Sequence, residues 1–345
     1  MLYLISVYAT ILLVSFITVY ILIPKLIPIL RESGFVGKDM NKDKKTTVAE
    51  LGGIPIFLGF IFGAIFAIFL STYLGFNLDL LPFLAGILTI ILIGFIGTID
   101  DLIGWKKGIR QWQHALFPVA AALPLMAVRV SNPPMSLPFI GLLPETFILP
   151  FGIAISFGVI YSLILVPIGV TGASNATNML AGLNGLEAGL AALIIGTLAI
   201  IALFTGKIEA LIIALAMIGA LIAFLKYNWM PAKIFGGDGL TLMSGASIAV
   251  IAILGDMEKI GVILLVLFFV ELYLKSKSKF QAESFGIPKN GLLCAPKKKQ
   301  SLTHYFMYGR ATEKQIVKRI LFTQFLICIF ALTIASLNYL QIIMI

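Results

Sequence analysis

Charge is what this sequence has least of. Only 12% of its 345 residues are Asp, Glu, Lys or Arg, while 60% are hydrophobic. A soluble domain averages about 25% charged residues, so a water-soluble globular class is excluded. Cysteine and histidine number two each. Cys294 lies in a basic loop and Cys328 in an apolar run, so they form no disulfide framework and nothing indicates an oxidising compartment. Internal repeats, heptads and low-complexity segments are absent. No basic segment precedes the first apolar run at Leu2, which continues to Ile23. This reads as a permanent span rather than a cleaved leader.

What is present is apolar helix. The mean hydropathy is +1.05, and ten candidate spans follow: Leu2–Ile23, Leu51–Leu70, Leu81–Ile99, Trp112–Val128, Phe147–Val170, Leu186–Phe204, Glu209–Leu225, Leu240–Leu254, Ile260–Leu274 and Ile320–Ile343. The fourth is short and carries Pro118 and Pro124; the proline-rich stretch from Pro133 to Pro144 reads as a loop. The expected fold class is therefore an all-α polytopic membrane protein, one domain over 1–345 with a large basic loop at 275–319.

With both termini outside, the loops at 24–50, 100–114, 171–186, 226–239 and 275–319 are cytoplasmic and hold 22 of the 25 basic residues. Arg129, Lys207 and Lys259 remain outside. That asymmetry is what the positive-inside rule expects. It also accounts for the net charge of +9 through a membrane face rather than nucleic acid.

The same parity sorts the polar motifs. Thr171–Gly189, TGASNATNMLAGLNGLEAG, reads as a nineteen-residue pause between apolar runs. Its Asn175, Asn178, Asn184 and Glu187 offer polar side chains, and Gly182 allows close backbone approach to a ligand. The sequon at Asn175 falls on the cytoplasmic side, against glycosylation. Asp100 and Asp101 stand where the third span leaves the membrane. Adjacent helical positions point about 100° apart, so one acid can serve a metal or phosphate while the other meets a lysine or a supporting partner; the alternative is a solvated helix end. Asp238, between Gly237 and Gly239, suits Mg²⁺ or the N-cap of the following helix. Glu50 falls at the same face. Carboxylates, amides and glycine-rich backbone beside a basic rim make a site for phosphates and a divalent cation.

On GKDMNKDKKTTVAELGG, the acid pair in IDD, NATNMLAGLNGLEAG and YNWMPAKIFGGDG, the chain resembles the polyprenyl-phosphate N-acetylhexosamine-1-phosphate transferases. The third and fourth motifs look like the eukaryotic and archaeal branch, which makes dolichyl-diphosphate N-acetylglucosamine for lipid-linked oligosaccharides and protein N-glycosylation. The bacterial cell-wall branch carries a DGLDGL-like version and a histidine cluster that this chain lacks.

The resemblance implies roles. Asn178 and Asp238 face Mg²⁺, with Mn²⁺ as the alternative ion. Gly182 and Asn184 hold the uracil with Phe235 stacking near it, and Asp100 and Asp101 lie by the lipid phosphate and metal. Counting back from Pro118 places His114 where the family carries a lysine toward the diphosphate; Lys106 and Lys107 lie nearer the acid pair. His304, in SLTHY, touches the sugar diphosphate or is structural. Apart from the resemblance, Lys297–Lys299 are expected to face headgroups, since three consecutive lysines cannot converge on one ligand. The implied reaction transfers GlcNAc-1-phosphate from UDP-GlcNAc to a polyprenyl, dolichyl-type phosphate at the cytoplasmic face of the plasma membrane, releasing UMP. The implied partners are both substrates and the bilayer, with no nucleic acid and a homodimer left open. The rival from another class is a secondary transporter whose asparagine segment is a broken-helix solute site.

Overall fold

The computed structural model describes residues 2–339 except 45, 105–110, 129–135, 138–140, 143–145 and 149–153. Among these residues eight helices are long and apolar enough to cross a bilayer. They are α1 (Leu2–Glu32), α2 (Gly53–Leu74), α3 (Leu80–Gly104), a helix over Phe157–Met179, α8 (Leu186–Thr205), α9 (Ile208–Asn228), α10 (Gly237–Leu254) and α14 (Glu313–Tyr339). The other two expected spans are each in two pieces. Helices α4 (Gln111–Ala121) and α5 (Leu123–Val128) part at Ala122, where Pro124 cannot donate to a continuing helix. Helices α11 (Glu258–Leu264) and α12 (Val266–Ser276) part at Leu265, and Gln324 of α14 donates to the Leu264 carbonyl at 3.0 Å. Among the described residues strand is confined to short antiparallel pairs: β1–β2 (Val36–Lys38, Thr47–Ala49), β3–β4 (Ser136–Leu137, Gly141–Leu142), β5–β6 (Thr146–Ile148, Ala154–Ser156) and β7–β8 (Ile287–Lys289, Leu292–Cys294). The short helix α13 (Leu302–Phe306) completes the loop before α14.

One expected span moves. Phe147 and Ile148 lie in β5 and Ala154–Ser156 in β6, and the helix starts at Phe157, where the Ser156 hydroxyl accepts from the Gly158 N–H at 3.2 Å. It runs as α6 (Phe157–Ile160), a π-turn over Tyr161–Leu165 and α7 (Val166–Met179). The polar residues from Thr171 to Asn178 are thus helical and not a pause. Their hydroxyls point inward: Thr177 donates to the Thr241 carbonyl of α10 at 2.7 Å. Gly245 lets α7 and α10 touch, since a Cβ there would lie 2.3 Å from the Ala173 carbonyl oxygen. The only loop within the stretch is 180–185. No Lys or Arg occurs between Arg129 and Lys207, so this shift leaves the charge asymmetry unchanged.

Helix α10 is the hub. Every residue from Gly239 to Leu254 is buried, and the helix packs on α2, α3, α7, α8 and α9. One end of the bundle gathers the loops 33–52, 180–185 and 229–236, joined by Gly52 and Phe235 and by the Ala49–Ile234 bridge. The other end carries Lys207 paired with Asp256, Tyr161 bonded to Glu258, and Glu209 accepting from the Asp79 N–H.

Candidate active site

The acid pair splits its work. Helix α3 continues past Asp100 and Asp101 to Gly104 instead of ending at them, so their carboxylates diverge. Asp101 accepts from the backbone N–H groups of Asp238 and Gly239 at 2.7 and 2.9 Å. It caps α10 from a neighbouring helix, the role expected as Asp238's alternative to Mg²⁺, and its partners are main-chain amides rather than a lysine. Gly237 makes this contact possible. Its φ is +70°, and a Cβ there would sit 2.4 Å from an Asp101 oxygen. Asp238 is released from capping, and its carboxyl meets Asp100 of α3 and the amide of Asn178 of α7. Asp100 is 4% exposed.

The 180–185 loop is held at several points. Asn41 donates to the Gly182 carbonyl at 2.6 Å, Glu187 accepts from the Gly182 N–H at 2.6 Å, and Glu313 accepts from the Asn184 N–H at 2.8 Å. The Asn184 side chain donates to Asp39 at 3.0 Å, and Asn228 accepts from the Gly185 N–H at 2.9 Å. Lys42 bridges Glu313 and lies 3.8 Å from Asp39. At Gly182 φ is +104° and a Cβ would lie 2.8 Å from the Phe285 ring, so this loop needs glycine both for its backbone and for that ring.

Between the acid corner and this loop lies a cavity of about 240 Å³. Its walls include Asn178, Gly182, Asn184, Glu187, Phe235, Asp238 and Glu50, which brings together most of the residues chosen from sequence. Burial pushes the Glu50 carboxyl above its ordinary range. Lys38 brings a cation to the same wall.

Other sequence choices fall elsewhere. Asn175 does not line the cavity; its amide donates back to the Thr171 carbonyl one turn earlier at 2.9 Å. His304 is 3% exposed and not on the cavity wall. One ring nitrogen lies 3.1 Å from the Phe285 carbonyl and the other accepts from the Gln300 N–H at 3.3 Å. In this arrangement the histidine holds the backbone of Phe285, which does line the cavity. Burial holds its pKa below the ordinary histidine range. His114 lies in α4, but its side chain, with Lys106 and Lys107, is outside the described residues.

Sequence reasoning passed over Asp39, Asn41, Phe285 and Glu313. It also passed over Glu271, 0% exposed in α12, which accepts from Ser301 at 2.9 Å and from the Leu302 N–H. Lys275 lies 3.4 Å from Glu271 and donates to the Met179 carbonyl at the end of α7. The large loop is thereby tied to the cavity. Asp39 and Asn41 sat inside a quoted motif; the others carried no local signal.

Among the described residues no three His, Cys, Asp or Glu side chains converge as a metal centre. What converges is two carboxyls and the Asn178 amide, side chains that together carry the hard oxygens a divalent cation takes. The cavity stands at one end of the bundle, away from the midplane position of a transporter site.

Residues 83–256 match the family model described as glycosyl transferase family 4. The chain is 38% identical over 309 residues to a protein of Saccharolobus solfataricus provisionally named UDP-N-acetylglucosamine–dolichyl-phosphate N-acetylglucosaminephosphotransferase; the match spans 88% of this chain and 89% of that one. A Sulfolobus acidocaldarius protein with the same provisional name is 34% identical over 313 residues, covering 88% and 89%. A phospho-N-acetylmuramoyl-pentapeptide-transferase of Halalkalibacterium halodurans is 34% identical over 272 residues, covering 75% and 78%.

Proposed function

The chain belongs to glycosyl transferase family 4, and on that premise we propose that it transfers N-acetylglucosamine 1-phosphate from UDP-N-acetylglucosamine to dolichyl phosphate. The observation that carries this reading is the single cavity in which Asp238 and Asn178 stand opposite the glycine-built 180–185 loop. A nucleotide diphosphate needs that pairing: amides and close backbone for the base, hard oxygens for the phosphates. The two archaeal relatives, matched over 88% of this chain, carry this activity in their names. The site end of the bundle faces the cytoplasm, as the concentration of basic residues in its loops supports.

Asp100, Asp238 and Asn178 would hold a Mg²⁺ ion, which supplies charge neutralisation at the diphosphate. Gly182 and Asn184 bind the uracil edge, Phe235 flanks it, and Lys38 faces the phosphates. A lipid phosphate oxygen forms a bond to the β-phosphorus, and the bond from that phosphorus to the bridging oxygen breaks, so UMP leaves with the electron pair. A phosphate monoester has a second pKa of about 6, so the nucleophile arrives ionised and needs no protein base. The residues therefore position and neutralise rather than abstract a proton.

The test is UMP release by the purified protein in detergent with dolichyl phosphate, Mg²⁺ and either UDP-N-acetylglucosamine or UDP-N-acetylmuramoyl-pentapeptide. Release with the first nucleotide alone is expected. Release only with the second would move the chain to the activity named for its bacterial relatives.

A further inference from the structure

Away from the cavity, α8, α9 and α14 enclose an open groove of about 450 Å³. Its lining is entirely apolar but for the Trp229 indole: Gly189, Ala192 and Leu193 form one wall, with Leu321, Phe322 and Phe325 opposite. The groove has one polar end. At 100° per residue, Lys314, Lys318, Leu321 and Phe325 fall within about 60° of one another on α14. Both lysines are exposed, whereas Ile316, Val317, Ile320 and Gln324 on the other face are fully buried. The lysines thus continue the phenylalanine stripe toward the site end, and Phe325 lies about 10 Å below Lys318 along the helix axis.

Trp229 stands at that same end, just past α9. A Cβ on Gly185 would lie 2.7 Å from the Cε3 edge of the indole, so the ring rests on the 180–185 loop. Two cations above an apolar trough fit one kind of occupant, an amphiphile with an acidic head.

We propose that this groove binds a bilayer lipid with an anionic phosphate headgroup, its hydrocarbon chain along Leu193 and Phe325 and its phosphate between Lys314 and Lys318. A second copy of the chain fits less well. A two-fold contact across this face sets the lysine pairs of both copies at the same membrane level, like charge against like. The occupant is distinct from the lipid substrate, whose phosphate must reach Asp238 on the cavity side. Because Glu313 and Trp229 both contact the 180–185 loop, a filled groove also steadies the nucleotide wall.

Native mass spectrometry of the delipidated protein in detergent tests this, with phosphatidylglycerol, phosphatidylcholine and dolichyl phosphate as probes. One phosphatidylglycerol is expected to be retained and phosphatidylcholine lost. Lys314→Gln with Lys318→Gln should weaken retention roughly tenfold, while Lys297→Gln with Lys298→Gln changes it less than twofold. Equal losses in the two double variants would reduce the effect to net charge and overturn the site. Displacement of phosphatidylglycerol by equimolar dolichyl phosphate would assign the groove to the acceptor, and a dimer that retains no lipid would assign it to a second copy. None of these readings depends on catalysis.

Discussion

Two groups of carboxylates border the same cavity and are built to opposite ends. At the acid corner, Asp238 meets another carboxyl and an amide across three helices. At the loop clamp, Asp39 and Glu313 are matched to Lys42 and to main-chain or amide N–H groups. The clamp satisfies its charges within the protein and fixes the backbone. The corner brings negative groups together on stiff helices, an arrangement whose repulsion a bound cation relieves. A buried acid is thus better classed by what its neighbours neutralise than by how buried it is. Asp101 shows the distinction within one dipeptide: adjacent to Asp100, it belongs by its contacts with the backbone.

The comparison breaks first at Asp238. Asp238→Asn keeps the size and removes the charge, and it leaves the Asp101 cap of α10 in place. We expect turnover in the UMP-release assay to fall by at least about a hundredfold, the scale for losing a group that stabilises developing charge. The thermal unfolding midpoint should be unchanged or higher, since one of two facing carboxylates has gone. Near-normal turnover would show that the corner is as structural as the clamp.

Glu313 should respond differently. Glu313→Gln retains an acceptor for the Asn184 N–H and loses the charge facing Lys42, whose side chain is 31% exposed; partial solvation of that lysine makes the ionic part worth little. Glu313→Ala also strands a buried N–H, a cost of roughly 1–3 kcal/mol. The expected ranking is a small effect for Gln and a several-fold rise in KM for UDP-N-acetylglucosamine for Ala, with kcat at saturating nucleotide largely kept. A fall in kcat with KM unchanged would place Glu313 with the corner.

These two residues also mark how far the sequence could be read. Asp238 was legible because glycines flank it and composition alone makes a carboxylate there unusual. The all-α, membrane-spanning class was legible for the same reason, since hydropathy is a local sum; the number of spans was less so, because among the described residues eight helices and not ten are long and apolar enough to cross a bilayer. The clamp was not: Lys42 and Glu313 are 271 positions apart and Asp39 and Asn184 are 145 apart, and no local pattern reports such a pairing. The segment from Thr171 to Asn178 misled in a third way. A helix whose polar face is turned inward onto α10 has the composition of a loop, and only Thr177 meeting Thr241 explains why it stays helical.

The smallest effect concerns His304, which supports the cavity from behind. Burial is the main cause of its lowered pKa; the bond to the Phe285 carbonyl and the Glu271 charge oppose it, while Lys275 and Lys299 push the same way as burial. The folded state therefore favours the neutral ring, in which one nitrogen accepts from Gln300 and the other faces the Phe285 carbonyl. Protonation turns the acceptor into a second donor aimed at a backbone N–H. The stabilisation is present above the unfolded value of about 6.5 and is lost as pH falls below it toward the lowered folded value. Amide exchange in residues 284–304 should rise as pH drops through that window, after correction for intrinsic rates. His304→Gln should flatten the dependence while leaving turnover at neutral pH within a few-fold. If instead turnover collapses in His304→Gln at pH 7.5 and exchange in the loop does not change, the histidine touches substrate after all, and the boundary between supporting shell and cavity wall must be redrawn to include it.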